Sequence, residues 1–380
     1  MKSTLRAIAR DPLIARDSRP FGFGQRMHSL DWLRPSTVAG SLRTLLGKAT
    51  GGVFDADLIA QLKSLSLAGP LPLRGKTLFV PAPKDILIRE EKDGKKTERF
   101  VHRLLPQKLQ DGEGTDFGAD QLPFMQEGAN FKPAPTPAFW SIDIMTRWLC
   151  GEEPSPIPPD PKELDEGMPY LAHPPKEDRI HVRIDSASGA AEEGMLFSST
   201  GLDLRGIDLA LRLEDRQGHF DTHLERLDAL HPCGGERRLL RWKREQDLDG
   251  LWSCPEGVTE SLSGLKPKTY LRLILATPAR FASGWKPKWL DEKGTGTIPG
   301  TAVKVRLVSA VTGRWEPLSG WSYETGGPKP LSRLVPAGSV YFFEILEGNG
   351  GQIVPLWLEP ISDDEEARKD GYGLALWGLC

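Results

Sequence analysis

Cysteine is scarce in this chain: only Cys150, Cys233, Cys254 and Cys380 occur in 380 residues, far apart and with no CxxC pair. That spacing argues against a zinc ribbon and against a disulfide framework. Long apolar runs are also missing. No window reaches the length of a membrane span, and the start, MKSTLRAIARDPL, lacks the apolar core of a signal peptide. The chain reads as soluble and cytoplasmic, with no membrane partner. No segment repeats with a period of about 20–50 residues, which argues against solenoids and propellers. Excess charge of one sign is absent too, at a net −3. The surface is therefore not a basic coat for nucleic acid, but a local basic groove is compatible with that balance.

What is abundant is glycine and proline, 40 and 32 residues, beside a hydrophobic content of 39%. Many loops around a buried core favour an α+β architecture over a helical bundle, and the length suits about two domains. Residues 4–14 read as a first strand, with Leu5, Ala7 and Ala9 on one face, limited by Pro12. A helix is expected over 36–46, capped by the Ser36 hydroxyl, with Val38, Leu42, Leu45 and Leu46 on one face and Gly47 as terminator. A second helix is expected over 55–65. Strands follow at Thr77–Pro81 and Ile86–Arg89, the latter entering a hairpin at Asp93-Gly94. Residues 110–137 read as a long irregular loop. Ser141 caps a helix carrying Ile144, Trp148 and Leu149 inward, and a Pro-rich linker follows. Further strands are expected at His181–Ile184, Met195–Ser199, Asp208–Leu213, Tyr270–Ala276, Thr301–Ala310 and Ser339–Leu346. The expected division is 1–151, a linker at 152–175, and 176–380.

Two stretches carry the chemistry of anion binding. In Arg19–Lys48, Arg26, His28, Arg34 and Arg43 surround the start of the first helix, where free N–H groups and the helix dipole favour a phosphate. The same pattern also fits a capped amphipathic helix with ordinary surface arginines. In GGERRLLRWKRE, five cations lie close around Trp242, either pairing with phosphates or facing water from a strand that buries Leu240 and Trp242. Catalysis has weaker candidates. His219 and His223 flank Asp221, but Phe220 stands where a zinc peptidase needs its glutamate. His28 has no partnering acid. Gly371, Gly373 and Gly378 form neither a phosphate loop nor a dinucleotide fingerprint, and Asp363–Glu366 reads as a solvated acidic turn. No residue is assigned a catalytic role, and no metal or cofactor is expected.

Several phrases together resemble one family. RPF and WLRPSTVAGSLRTLLG resemble the opening of the RAMP proteins of CRISPR effector complexes. HVRIDSASGAAEEGMLF, GGERR, FASGWKP and GWSYETGGPKPLSRLVPAGSVYFFE resemble its Cmr-type, Cas5-like branch, and GYGLALWG is similar to the RAMP glycine loop. The resemblance implies two ferredoxin-like (RRM-like) domains with long loop insertions. It implies a type III-B subunit that holds the crRNA 5′ handle beside the large polymerase/cyclase subunit and a backbone RAMP subunit, meeting target RNA indirectly. It places RNA contact on Arg19, Arg26, His28, Arg34, Ser36, Thr37 and Arg43, with Arg237, Arg238, Lys329, Arg333, Gly371, Tyr372 and Gly373. Bases would stack on Trp32 or Tyr372. The competing expectations are a metal-independent repeat-RNA endoribonuclease using His28 and a metallohydrolase using His219, Asp221 and His223.

Overall fold

A computed structural model describes residues 2–17, 29–94, 96–113, 121–125, 130–322 and 325–380. The chain is mixed α/β with mostly antiparallel sheets, and it forms two compact units, each assembled from three segments. The first comprises Met1–Arg74, His173–Asp249 and Pro317–Ser332; the second comprises Gly75–Ala172, Gly250–Glu316 and Arg333–Cys380. Both halves of the sequence thus contribute to both units, whereas the sequence division places one unit on either side of 152–175.

In the first unit, the strand at Lys2–Ala9 is central. It pairs antiparallel with Asp208–Glu214 on one side and Leu239–Arg244 on the other. Asp208–Glu214 in turn pairs with Ser66–Arg74, and Asp228–Pro232 covers the opposite edge. Leaving out that edge strand, the four strands of this unit stand in the order fourth, first, third and second by position in the chain. Alternation explains which face is buried: Leu5 and Ala7 join Leu209, Leu211, Leu240 and Trp242 in the core, while Arg6, Arg212, Arg241 and Lys243 alternate with them. The expected strand is shorter than 4–14 because the chain turns before Pro12.

The helix α1, Pro35–Ala49, lies over that core through Val38, Ala39, Leu42 and Leu46, all fully buried. Removing one such leucine side chain costs about 2–5 kcal/mol. The expected Ser36 cap is corrected. Arg34 occupies the cap position without a side-chain cap bond, because Pro35 sets the first helical residue one position earlier. The helix also runs past Gly47; Thr50 ends it, its hydroxyl donating to the Gly47 carbonyl at 3.0 Å. Helix α2, Ala56–Ser64, falls within the expected 55–65 and is capped by the Asp55 carboxylate, which accepts from the Leu58 N–H. From the same unit a two-stranded ribbon extends, Lys176–Ile184 against Ala191–Leu202.

The second unit holds a five-stranded sheet in the order Thr295–Thr297, Lys304–Val311, Val340–Glu347, Tyr270–Leu275, Ala375–Leu379. Its last four strands again stand in second, third, first and fourth order, all antiparallel. Ser141 caps the helix Ile142–Leu149 through the Ile144 N–H, which matches the sequence expectation, and Trp148 and Leu149 are fully buried. The loop expected over 110–137 contains a strand, Gln121–Met125, paired with Lys96–Lys108. Period-two alternation is too weak in QLPFM to reveal it.

Candidate nucleic-acid interface

The opening stretch is held at its base. Arg16 and Ser29 form an antiparallel bridge, the Leu30 N–H donates to the Ala15 carbonyl at 2.7 Å, and the Ser29 hydroxyl donates to the same carbonyl. These bonds join residues 15–16 to residues 29–30; Arg19, Arg26 and His28 lie outside the described residues. Lys176, at the start of the ribbon, reaches across to Asp31 at 2.6 Å and to the Ser29 carbonyl.

Beside that base the chain packs tightly. Leu13 and Leu202 exchange both backbone hydrogen bonds, and the Gly235 N–H donates to the Ile14 carbonyl. Gly234 has φ of +76°, and a Cβ there would sit 2.4 Å from the Ile14 oxygen, so this position requires glycine. Glu236 and Arg237 continue in the left-handed region, with φ of 55° and 51°. The GGERR turn thereby places Arg238 in the lining of a shallow surface depression, with Pro12, Ile14, Glu177, Arg179 and Ser199. Arg179 is paired with Glu177. The Arg238 Nε is buried and, among the described residues, has no hydrogen-bond acceptor. His181 caps the neighbourhood, stacked on Phe197 with centroids 5.1 Å apart and bonded through Nε2 to the Ser199 hydroxyl at 2.8 Å.

The other expected contacts fall in different places. Arg34 is buried at 8% exposure, and Arg43 donates from Nη2 to the Leu65 carbonyl at 3.0 Å, joining α1 to the end of α2. Ser36 and Thr37 lie in the first turn of α1, half-buried. Trp242 is fully buried, so it packs in the core, while Arg241 and Arg244 pair with Asp228 and Asp249. Of the cations in that cluster, Arg237 and Arg238 are the ones in the turn. Lys329 lies in a loop, its N–H donating to the Gly320 carbonyl, and Arg333 stacks over Trp315.

Gly371–Gly373 are buried. Tyr372 is 1% exposed, which removes it as a stacking platform, and Trp32 is half-buried with its Nε1 donating to the Pro70 carbonyl. The Ser362 hydroxyl donates to the Tyr372 carbonyl and Thr277 Oγ1 to the Gly371 carbonyl, so this glycine turn is an internal brace. The acidic run is no free turn either: Asp364 caps the helix Glu365–Asp370 and pairs with Arg280, while Asp363 accepts from the Ala282 and Lys288 N–H groups. An Asp followed by Glu-Glu-Ala is a helix-start signal that sequence reading could have used.

His219 bonds to Gln217 and Asp221 opens the short helix Asp221–Glu225. Among the described residues no three metal-ligating side chains converge, there or elsewhere.

One buried cluster was missed. Asp85 and Arg272, both without solvent exposure, form an ion pair at 3.1 Å, and Trp148 Nε1 donates to the other Asp85 oxygen at 3.0 Å. Arg103 stacks on the Trp148 ring at 3.8 Å. Burial pushes the Asp85 carboxyl up against the pull of Arg272, and burial together with the Arg272 charge lowers Arg103 to about 10. No sequence signal announces a pair 187 positions apart, though an Arg inside YLRLIL invites the question of its partner.

No curated protein sequence matches the chain. Among solved structures, one chain of the type III-B Cmr-beta assembly bound to cognate target RNA is similar at 14% identity, covering 98% of this chain and 96% of its own, with a TM-score of 0.49. A chain of that assembly with target RNA and AMPPnP shows 13% identity over 89% of this chain and 86% of its own, at 0.48. A chain of the Csm3-Csm4 subcomplex of the type III-A interference complex shows 11% identity over 99% of each, at 0.41. No helix among the described residues is long and apolar enough to cross a membrane. The sequence profile of a CRISPR-associated protein family, Cas_Cmr3, matches residues 6–380, and the chain belongs to that family of Cmr-type subunits.

Proposed function

We propose that the chain is a non-catalytic, RNA-binding subunit of a type III-B CRISPR interference complex. In this reading it holds the crRNA 5′ handle and bridges the large subunit to the RAMP backbone. The observation that carries it is the surface depression lined by Arg238 and Arg179, where the buried Arg238 Nε has no acceptor among the described residues, close in the chain to the bridge between Arg16 and Ser29. Phosphates of a single strand suit the arginines that line this depression, and Arg19, Arg26 and His28 stand in the sequence between Arg16 and Ser29. Two ferredoxin-like units, one in each compact unit, accord with the shared strand order of the two sheets.

Purifying the full chain from its host and sequencing the bound RNA tests this reading. We expect repeat-derived 5′ ends, and for Arg238→Glu a loss of occupancy that deepens as salt is raised. Bound RNA without repeat sequence, or none, overturns it. Cleavage of repeat RNA in EDTA that His28→Ala abolishes would replace it with the endoribonuclease reading.

A further inference from the structure

Trp315 is 52% exposed, and the Arg333 guanidinium lies over its ring, 4.8 Å from the centroid. The surroundings are charged. Arg314, the preceding residue, is exposed. Lys84 lies against Gly313, its Nζ 3.4 Å from where a Cβ would stand, and the Gly338 carbonyl accepts from its backbone N–H at 2.9 Å. Burial lowers the Lys84 ammonium, and Glu316 pulls the other way. An indole with a stacked guanidinium, in a stretch that also carries cations, is an arrangement single-strand sites use, where a base stacks and cations take the flanking phosphates.

We propose that Trp315 is a stacking platform for an unpaired nucleobase, oriented by Arg333, with Arg314 and Lys84 contacting the adjoining phosphates. This rests on the reading of the chain as an RNA-binding subunit and adds a site in the second unit, apart from the Arg238 depression of the first.

The test uses the full chain and a short fluorescein-labelled single-stranded RNA, read by anisotropy over a salt series. Trp315→Ala weakens binding about tenfold without changing the salt dependence, because a stacked base releases no counterion. Trp315→Tyr keeps most of the affinity, and an abasic RNA of the same length binds wild type and Trp315→Ala alike. If wild type binds and Trp315→Ala matches it, the platform is refuted while the RNA reading stands. If Trp315→Ala spares RNA affinity but blocks assembly with another subunit, the surface is a protein contact and the proposal is equally refuted. Failure of wild type to bind RNA at all refutes the underlying reading.

Discussion

Replacing Arg272 with Met removes half of an ion pair that water cannot reach. Both members are fully buried, the Arg272 Nε lies 3.1 Å from Asp85, and Trp148 holds the second carboxylate oxygen. Taking either charge out of water costs several kcal/mol, and the partner's field offsets that cost only while both are present. Arg272→Met therefore strands a carboxylate and should destabilise the chain by about 3–5 kcal/mol, a large part of an ordinary folding free energy of about 5–15 kcal/mol. Asp85→Asn keeps an acceptor for the Trp148 N–H but strands Arg272, with a similar loss. The double variant Asp85→Asn/Arg272→Met strands neither, so its loss should be smaller than the sum of the two by several kcal/mol. The pH dependence carries a definite sign. Burial already raises the folded-state carboxyl, and without Arg272 that rise grows. The folded state then keeps a proton that the unfolded state gives up above about pH 4, so Arg272→Met loses stability as pH climbs towards the folded value. Urea midpoints of the four proteins between about pH 4 and 8, followed by near-ultraviolet circular dichroism, measure this. Additive single losses, or an Arg272→Met defect that does not grow with pH, would refute the argument.

Gly373→Ala places a Cβ 2.6 Å from the Ser362 hydroxyl oxygen at φ +82° and should lower the urea midpoint by an amount worth about 1–3 kcal/mol. Asp364→Ala removes the cap of Glu365–Asp370 and its pair with Arg280, for about 1 kcal/mol in the same assay. Arg43→Ala breaks the bond from α1 to the Leu65 carbonyl. It should lower thermal stability by about 1–2 kcal/mol while leaving the salt slope of RNA binding unchanged. Arg238→Gln should reduce that slope by about one without shifting the melting temperature; a reversed pattern for these two arginines would falsify their assignment.

The contrast between Arg43 and Arg238 shows where sequence reading stops. Apolar spacing reveals α1 because Val38, Leu42 and Leu46 must repeat every turn to stay on one face, and alternation reveals Lys2–Ala9 for the same reason at period two. Those rules are local. Arg43 and Arg238 are equally plausible phosphate ligands in sequence, yet the first spends its Nη2 on the Leu65 carbonyl of its own chain and the second lines a surface depression, although the Nε of each is buried without an acceptor among the described residues. Which of these happens depends on partners 22 residues away in one case and on the approach of residues 12–14 and 177–201 in the other. The glycine tail fails for a related reason. GYG reads as backbone that invites a ligand, but the groups that approach it are Ser362 and Thr277 of the same chain. The interleaving of segments between units is invisible for the opposite reason. The Pro-rich run after 152 has the composition of a linker, but composition reports only that a stretch lacks a core of its own, not which strands on either side of it will pair. Trp242 and Trp315 make the point in miniature. Trp242 sits among arginines in the sequence and Trp315 follows Arg314, and burial separates a core residue, with its Nε1 enclosed, from a ring half open to solvent with a guanidinium on one face.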